Sequence, residues 1–364
     1  MSRALFIGLM SGTSLDGADS VIVELDGKHC QVVRQQFTPY PADLRQQLLT
    51  LHHPTTNELE VTAVTSNRLS HLYADNINQL LHQAGLHPSH ITAIGCHGQT
   101  IRHRPELGFT LQIFNPALLV ELTGIAVISD FRSRDLAAGG HGAPLVPAFH
   151  HAAFADSTIH RVVLNIGGIA NLTDLPPDSP VTGFDTGPGN MLMDAWIEHH
   201  QGKPYDADGT WAASGTVIPA LLEQLLEEPF FAQAAPKSTG RDTFNMAWLQ
   251  KKLHRKYQPA DVQRTLLELT AASIATAVTQ NCINVDELYV CGGGAYNSVL
   301  LERLRQLLLP VTIRLSDELG LAINSVEAAA FAWLARQALH GLPGNLPAVT
   351  GARGPRILGA VYAA

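Results

Sequence analysis

The sequence has few cysteines, few charged residues and no long apolar run. Of its 364 residues only 15% are charged, whereas 46% are hydrophobic, so a large buried core is available. The cysteines form no CxxC pair and have no metal-ligand spacing, which predicts free buried thiols at Cys30, Cys96, Cys282 and Cys291. Cys96 precedes His97, but neighbours in a strand point to opposite faces, which argues against a thiol nucleophile.

Other absences limit the partners. No apolar run approaches the ~20 residues of a membrane span, and the first residues lack the apolar stretch of a signal peptide. With free thiols, this predicts a cytoplasmic protein that has no membrane partner. The net charge of −8 argues against a nucleic-acid partner. An anionic ligand remains compatible, since backbone N–H groups, a few arginines and a bridging metal can hold one. The oligomeric state is left open, a homodimer included.

The sequence also lacks two common nucleotide motifs, GxxxxGK[ST] and a GxGxxG that opens a helix behind the first strand. Instead, two apolar runs flank a glycine-rich turn at residues 7–25, IGLMSGTSLDGADSVIVEL, and again at 161–175, RVVLNIGGIANLTDL. A third cluster, CGGG at 291–294, ends an apolar run and precedes a helical pattern. Any one of these turns alone is more typical of a plain hairpin. Their repetition predicts a pair of related domains.

Short β runs that alternate with helical periodicity predict an α/β fold. Helices are expected at 58–84, 191–200, 217–226, 262–281 and 325–339, a loop at 178–180 and a last short strand at 357–362. The first domain is predicted to contain residues 1–130, completed by 343–364, and the second residues 131–342. We expect a cleft between them.

Facing hairpins of small residues could clasp a polyphosphate, because their backbone N–H groups can approach phosphate oxygens closely. This resembles the nucleotide site of the sugar kinase, chaperone and actin superfamily, which implies ATP. The nucleotide-binding residues predicted on this basis are Gly12, Thr13, Ser14, Leu15, Asp16, Gly17, Ala18 and Asp19 in the first loop, Gly167, Gly168 and Asn171 in the second, and Gly292, Gly293, Gly294 and Asn297 near the base and ribose. Asp16 is expected to hold Mg²⁺ through water.

Long strings narrow the resemblance. GLMSGTSLDGAD, GCHGQTIRHRP, SDFRSRDLAAGGHGAPLVP, NIGGIANLT, GFDTGPGNMLMD, CGGGAYN and EAAAFAWLA occur in order along almost the whole chain. Together they resemble the anhydro-N-acetylmuramic acid kinase family. The resemblance implies a two-domain, actin-like kinase fold with a nucleotide cleft. It also implies that ATP and water open the 1,6-anhydro bridge of a cell-wall sugar, giving N-acetylmuramic acid 6-phosphate.

Opening an anhydro bridge needs a water activated at C1 and stabilisation of the departing O6. Inverting glycosidases use two carboxyl groups for this, one as base and one as acid. If the γ-phosphoryl group captures O6, one carboxylate base is enough. We expect Asp185 in FDTGPGN to be that base, just before a helix start and fixed by the tight turn at 187–189. The alternative is a helix N-cap or Asx-turn.

Several polar residues are candidates for the sugar. Arg132 could bind the lactyl carboxylate or a phosphate as a bidentate donor, or could form a structural ion pair, and Asp130 and Asp135 are expected to orient the arginines. If its segment is extended, Arg134 points the other way. His97 and Gln99 would share one face of a strand end, although His97 could also be a core histidine. The resemblance implies a sugar contact for Glu327, although this residue could also be a helix-start acid. Asn190 is also predicted to bind the sugar.

Two other functions stay open. An ordinary sugar kinase of the same superfamily would use Asp185 to deprotonate a sugar hydroxyl instead of water. A non-catalytic, nucleotide-dependent sensor or chaperone would use domain closure as a signal and would need no base at Asp185.

Overall fold

The structure of the chain is a computed structural model that describes residues 4–12, 15–27, 29–54, 56–254 and 256–364. Thr13 and Ser14, two of the predicted ATP contacts, lie outside the described residues. The chain divides into two compact units. Unit 1 contains Met1–Ala153 and Gly320–Ala364, and unit 2 contains Phe154–Leu319.

Strands and helices alternate along the chain. The strands are β1 (Ala4–Ser11), β2 (Gly17–Asp26), β3 (His29–Pro39), β4 (Ile91–Arg104), β5 (Phe109–Ile113), β6 (Val127–Ser129), β7 (Arg161–Ile166), β8 (Ile169–Leu175), β9 (Thr182–Pro188), β10 (Glu287–Cys291), β11 (Thr312–Leu315) and β12 (Ala360–Tyr362). The helices are α1 (Ala42–Leu51), α2 (Glu58–Ala84), α3 (Pro116–Thr123), α4 (Ser133–Ala137), α5 (Val146–Phe154), α6 (Met191–Gln201), α7 (Thr210–Ala213), α8 (Pro219–Leu226), α9 (Pro229–Ala232), α10 (Met246–Gln250), α11 (Pro259–Asn281), α12 (Ser298–Leu307), α13 (Val326–Leu339) and α14 (Pro347–Thr350).

Each unit has its own sheet, and the two sheets share a strand order. In unit 1 the order is β12-β6-β4-β1-β2-β3, and β5 pairs with β4. In unit 2 the order is β11-β10-β7-β8-β9. In both, three antiparallel strands are followed by two strands parallel to the first one, and in unit 1 β12 then pairs antiparallel to β6. The predicted α/β class is therefore confirmed, and the repeated strand–turn–strand pattern corresponds to the first hairpin of each sheet.

Helix α2 shows why the helical predictions succeed. Its buried residues include Leu69, Tyr73, Ile77 and Leu80, spaced to form one apolar stripe, and it ends at Gly85 in the left-handed conformation. The predicted helix 58–84 has the observed bounds, and the other four predicted helices are also present. The predicted strand 357–362 is shorter, since pairing begins only at Ala360, after Gly359 with φ of +100°.

Helix α13 explains why the observed units differ from the predicted domains. A Cβ added to Gly8 on β1 would lie 1.8 Å from the carbonyl oxygen of Ala328, and one added to Gly95 on β4 would lie 2.0 Å from that of Phe331. The two glycines let α13 pack directly on the sheet of unit 1. Residues 320–342, predicted for the second domain, therefore belong to unit 1, and so do residues 131–153.

No helix in the described part of the chain is long and apolar enough to cross a membrane.

Candidate active site

The loop between β1 and β2 in unit 1 is held through its carbonyl groups. The Gly12 oxygen accepts hydrogen bonds from Gln99 Nε2 at 3.1 Å and from Leu15 N at 3.3 Å. The Asp16 oxygen accepts from Tyr40 N at 2.9 Å. Leu15 and Ala18 are buried in the core, so any ligand contact they make would be through the main chain.

A buried network of polar side chains holds the residues that bond this loop. Tyr40 Oη donates to Gln99 Oε1 at 3.1 Å and lies 3.2 Å from Tyr73 Oη. Ser11 Oγ lies 2.8 Å from Tyr73 Oη and donates to the Gly98 oxygen at 3.0 Å. Sequence reasoning missed Ser11, Tyr40 and Tyr73. The tyrosines lie far from the loop in the chain and belong to no glycine-rich motif, so no local signal indicated them.

The expectation that His97 and Gln99 share one face of a strand end was wrong. Gly98 between them has φ of +74°, which interrupts the alternation of β4. His97 contacts Arg132, whereas the amide of Gln99 is fully buried and bonded to Tyr40, Gly12 and the Thr100 oxygen. Gln99 thus positions the first loop.

Arg132 is fixed by two neighbours. Its Nε and Nη2 donate to His97 Nε2 at 3.1 and 2.9 Å, and its Nη1 donates to the Gly142 oxygen at 2.8 Å. Burial lowers the pKa of Arg132 to about 10, although the charges of Glu327 and Asp135 favour its protonated form. Burial and then the charge of Arg132 hold the pKa of His97 well below its usual range. The imidazole is therefore neutral, with its proton on Nδ1.

The region around Arg132 departs from two other expectations. It is not extended, because Arg132 immediately precedes α4, so the predicted alternation with Arg134 does not apply. Asp135 does not orient the arginines by contact. Its buried carboxylate accepts from Gly142 N, Asn345 Nδ2 and Thr350 Oγ1. Asp130 accepts from Ser133 Oγ.

In unit 1 the charges of two acidic residues, Asp16 and Glu327, act on a third, Asp19. Asp16 is exposed, whereas Asp19 on β2 and Glu327 on α13 are half-buried. Burial, then the charges of Glu327 and Asp16, raise the pKa of Asp19 to about 7. Burial also raises the pKa of Glu327, and Arg132 opposes this. A cation at this place would relieve the repulsion.

The second loop, between β7 and β8 in unit 2, is tied to the segment before α6. The Gly168 oxygen accepts from Gly189 N at 2.9 Å and from Met191 N at 3.2 Å, and the Gly167 oxygen accepts from Asn190 N at 2.8 Å. Asn190 Nδ2 donates to the Ile166 oxygen at 3.2 Å. The sequence motifs NIGG and GPGN therefore meet in one place.

The third glycine cluster follows β10 and lies against β7. A Cβ on Gly292, which has φ of +80°, would lie 2.2 Å from Asn165 Oδ1, and one on Gly294 would lie 2.3 Å from Ile166 Cγ2. The close packing alone explains why these two positions are glycine. A Cβ on Gly293 would have more room, 3.6 Å from Asn190 Nδ2. Asn297 caps α12 by accepting from Leu300 N at 3.0 Å.

Asp185 lies within β9, opposite Asn171 of β8, and β9 precedes helix α6. It is half-buried, and burial raises the pKa of its carboxyl group. Its Oδ2 accepts from Thr239 N at 2.9 Å and from Ser238 Oγ at 3.0 Å. Helix α6 begins only at Met191, preceded by Asn190, so Asp185 is not an N-cap. A fixed carboxyl group with a perturbed pKa is typical of an enzyme site.

The described residues contain no group of three or more His, Cys, Asp or Glu side chains able to hold a metal ion. The four cysteines are free, as predicted, although Cys30 is only half-buried. Burial raises the pKa of the Cys96 thiol, which supports its assignment as an inert core residue.

Comparisons with known proteins agree with the motifs. Residues 4–364 match the family model described as anhydro-N-acetylmuramic acid kinase. A protein of that name from Thiobacillus denitrificans is 56% identical, over 99% of this chain and 97% of its own. Another from Pseudomonas putida is 51% identical, over 99% and 100%. The chain thus belongs to the anhydro-N-acetylmuramic acid kinase family.

Solved structures give more distant matches. An activator of 2-hydroxyisocaproyl-CoA dehydratase from Clostridium difficile has 12% identity and a TM-score of 0.47, over 93% of this chain and 98% of that one. A ROK family glucokinase from Streptomyces griseus has 12% identity and a TM-score of 0.42, over 92% and 100%.

Proposed function

We propose that this protein uses ATP and water to open the 1,6-anhydro bridge of 1,6-anhydro-N-acetylmuramic acid and to phosphorylate O6. The product is N-acetylmuramic acid 6-phosphate, and we assign the reaction to the cytoplasm. The observation that carries the proposal is the carboxyl group of Asp185. It is half-buried on a sheet, has a raised pKa and is fixed through one oxygen.

Asp185 acts as the general base. It takes a proton from a water molecule whose oxygen forms a bond to C1. The C1–O6 bond breaks, and O6 takes the γ-phosphoryl group of ATP, which leaves ADP. Because the phosphoryl group captures O6, no separate carboxylic acid has to protonate it. A base with a raised pKa suits this task, since proton transfer is most efficient when the pKa of the base approaches the working pH.

Arg132 binds the lactyl carboxylate of the sugar. Its contacts with His97 and Gly142 use three of its five N–H groups and leave one N–H on each of Nη1 and Nη2. Such a pair suits a carboxylate, which can accept both bonds at once. His97, Asn190 and Glu327 complete the proposed sugar contacts. Gln99 does not contact the sugar but positions the first loop.

The first and second loops bind the phosphates of ATP through their main chain, and the third glycine cluster lies near the base and ribose. Asp16 fits a Mg²⁺ ion held through water, because Mg²⁺ takes one or two carboxylates together with phosphate oxygens and keeps much of its hydration. The exposure of Asp16 and the acidic surroundings of Asp19 agree with such a cation. When bound, Mg²⁺ supplies neutralisation of phosphate charge.

Purified protein supplied with Mg-ATP and the anhydro sugar tests this proposal. We expect a product whose mass has increased by a phosphoryl group and one water. A product that has gained the phosphoryl group alone would indicate an ordinary sugar kinase. If the protein binds ATP but forms no product, a nucleotide-dependent sensor would be the better account.

The variant Asp185→Asn keeps the size of the side chain but cannot accept a proton. General-base catalysis is typically worth about 10²–10⁴-fold, so kcat should fall by roughly that factor while both substrates still bind. Near wild-type turnover in this variant would remove Asp185 from the role of base.

A further inference from the structure

The segment 237–239, which lies far from Asp185 in sequence, forms hydrogen bonds with both the main chain and the side chain of this residue. The Asp185 main-chain N–H donates to the Lys237 oxygen at 3.0 Å. Its carboxylate accepts from Thr239 N and Ser238 Oγ at 2.9 and 3.0 Å. Both the backbone and the side chain of Asp185 are therefore bound to three consecutive residues.

The segment is itself anchored. Lys237 Nζ donates to the carbonyl oxygens of Phe230 and Phe231, at 3.1 and 3.0 Å, at the site of α9. The ammonium group also lies 4.7 Å from the centre of the Phe230 ring, within the range of a cation–π contact. Lys237 thereby fixes the residues that follow it, and its charge is turned towards these carbonyls.

The contacts of the carboxylate are uneven. In the part of the chain that the structure describes, the two groups that donate hydrogen bonds to the carboxylate, Ser238 Oγ and Thr239 N, both bond Oδ2. A carboxylate oxygen that already accepts two hydrogen bonds is a weaker proton acceptor than its partner. Oδ1 is therefore the better placed oxygen to receive the proton from water.

We propose that Ser238 is a positioning residue for the base. Its hydroxyl holds Oδ2, directs Oδ1 to the water molecule and sets the pH range in which the base works. This inference rests on the proposed function, because it assigns a role within the same reaction. Neither the glycine motifs nor the FDTGPGN string includes Ser238.

The direction of the pH effect follows from the surroundings of Asp185. Burial raises the pKa of this carboxyl group, and the bonds from Thr239 N and Ser238 Oγ lower it. Across the sheet, β8 presents the neutral Asn171 to Asp185. Loss of the Ser238 hydroxyl therefore raises the pKa of Asp185 further, since the ionised form loses a hydrogen bond.

The experiment compares kcat as a function of pH in wild type, Ser238→Ala and Ser238→Thr. In Ser238→Ala the acidic limb should move upwards by about half a pH unit to one unit, and the plateau should fall by about tenfold. KM for both substrates should change little. Ser238→Thr keeps a hydroxyl and should restore the wild-type limb.

Ser214→Ala is the matched control, because this exposed serine of unit 2 bonds only the Trp211 carbonyl among the described residues. Its pH profile should equal that of wild type. An unmoved limb in Ser238→Ala, or equal losses in Ser238→Ala and Ser238→Thr, would overturn the proposed role.

A second measurement does not depend on turnover. The ¹³C carboxyl signal of Asp185, assigned with the Asn variant, should titrate at higher pH in Ser238→Ala than in wild type. An identical titration overturns the inference even if the enzyme is active. If wild type forms no product while the titration shifts as expected, the proposed function has failed, but the hydrogen bond to Oδ2 has not.

Discussion

At the residue scale, burial sets the acid–base properties of the candidate site. Burial is the largest cause of the raised pKa of Asp19, Asp185 and Glu327. It also keeps His97 neutral, so that its Nε2 can accept from Arg132. None of these properties can be predicted from a motif, because burial depends on which distant elements cover a side chain.

Arg132→Ala tests the proposed carboxylate contact. KM for the sugar should rise far more than KM for ATP, because loss of one partner of a buried, charge-assisted pair typically costs about 2–5 kcal/mol. Arg134→Ala, two residues away and exposed, is the control and should leave both KM values near wild type. A larger effect on ATP would reassign Arg132 to a phosphate.

Asp19→Asn tests the raised pKa of the acidic group in unit 1. Asp19 has a pKa of about 7 in the folded protein, against an ordinary value of 3.8. Below 3.8 it is protonated in both states and has no effect; between these values the folded protein retains a proton that the unfolded chain has lost. Its contribution to stability therefore becomes less favourable as the pH rises to about 7.

The melting temperature of Asp19→Asn, relative to wild type, should accordingly increase between about pH 4.5 and pH 7.5. The comparison is made without ligands, since a bound cation would change the charge around Asp19. A difference that is constant across this range would show that Asp19 titrates alike in both states.

At the scale of elements, the candidate site depends on contacts between segments that are distant in sequence. The strand–turn–strand pattern predicted both hairpins, and the apolar periodicity predicted α2 and α13. The hydrogen bonds between segment 237–239 and Asp185 could not be predicted in this way, since Ser238 lies 53 residues further along the chain. For the same reason, nothing near residue 12 indicated the supporting tyrosines.

Gly168→Val tests the second loop. A Cβ at Gly168 would meet only Met191 Cβ, at an ordinary 3.8 Å, so the fold should tolerate the substitution. The branched side chain would still obstruct the approach of a phosphate to the backbone, and ATP affinity should fall by about tenfold or more. Calorimetry measures the affinity and a melting curve checks the fold. Unchanged ATP binding would exclude this loop from the nucleotide site.

Gly95→Ala tests the packing of α13. The added methyl group would lie 2.0 Å from the Phe331 oxygen, so the helix must move away from the sheet. Overpacking of this kind typically costs about 1–3 kcal/mol, and the melting temperature should fall. Gly240→Ala is the control, because a Cβ there meets nothing within 4 Å. Equal stability of the two variants would contradict the close approach of α13.

At the scale of the whole molecule, the two units repeat one strand order. The sequence predicted a pair of related domains, but not the order of their strands. The two hairpins and the alternation of strands and helices were sufficient for the α/β class. The domain limits were not predictable in the same way, because α13 follows unit 2 in the chain but packs on Gly8 and Gly95 of unit 1. Local patterns indicate which element forms, whereas its partner depends on the complete fold.

Isotope labelling shows whether water attacks C1 while phosphate goes to O6, because the label then enters the sugar and not the phosphoryl group. The wild-type protein converts the anhydro sugar with ATP in ¹⁸O-water, and fresh product is analysed at once, because a reducing sugar slowly exchanges its C1 oxygen with solvent. We expect ¹⁸O at the C1 oxygen and none on the phosphoryl group. Label on the phosphoryl group, or fresh product without label at C1, would contradict it.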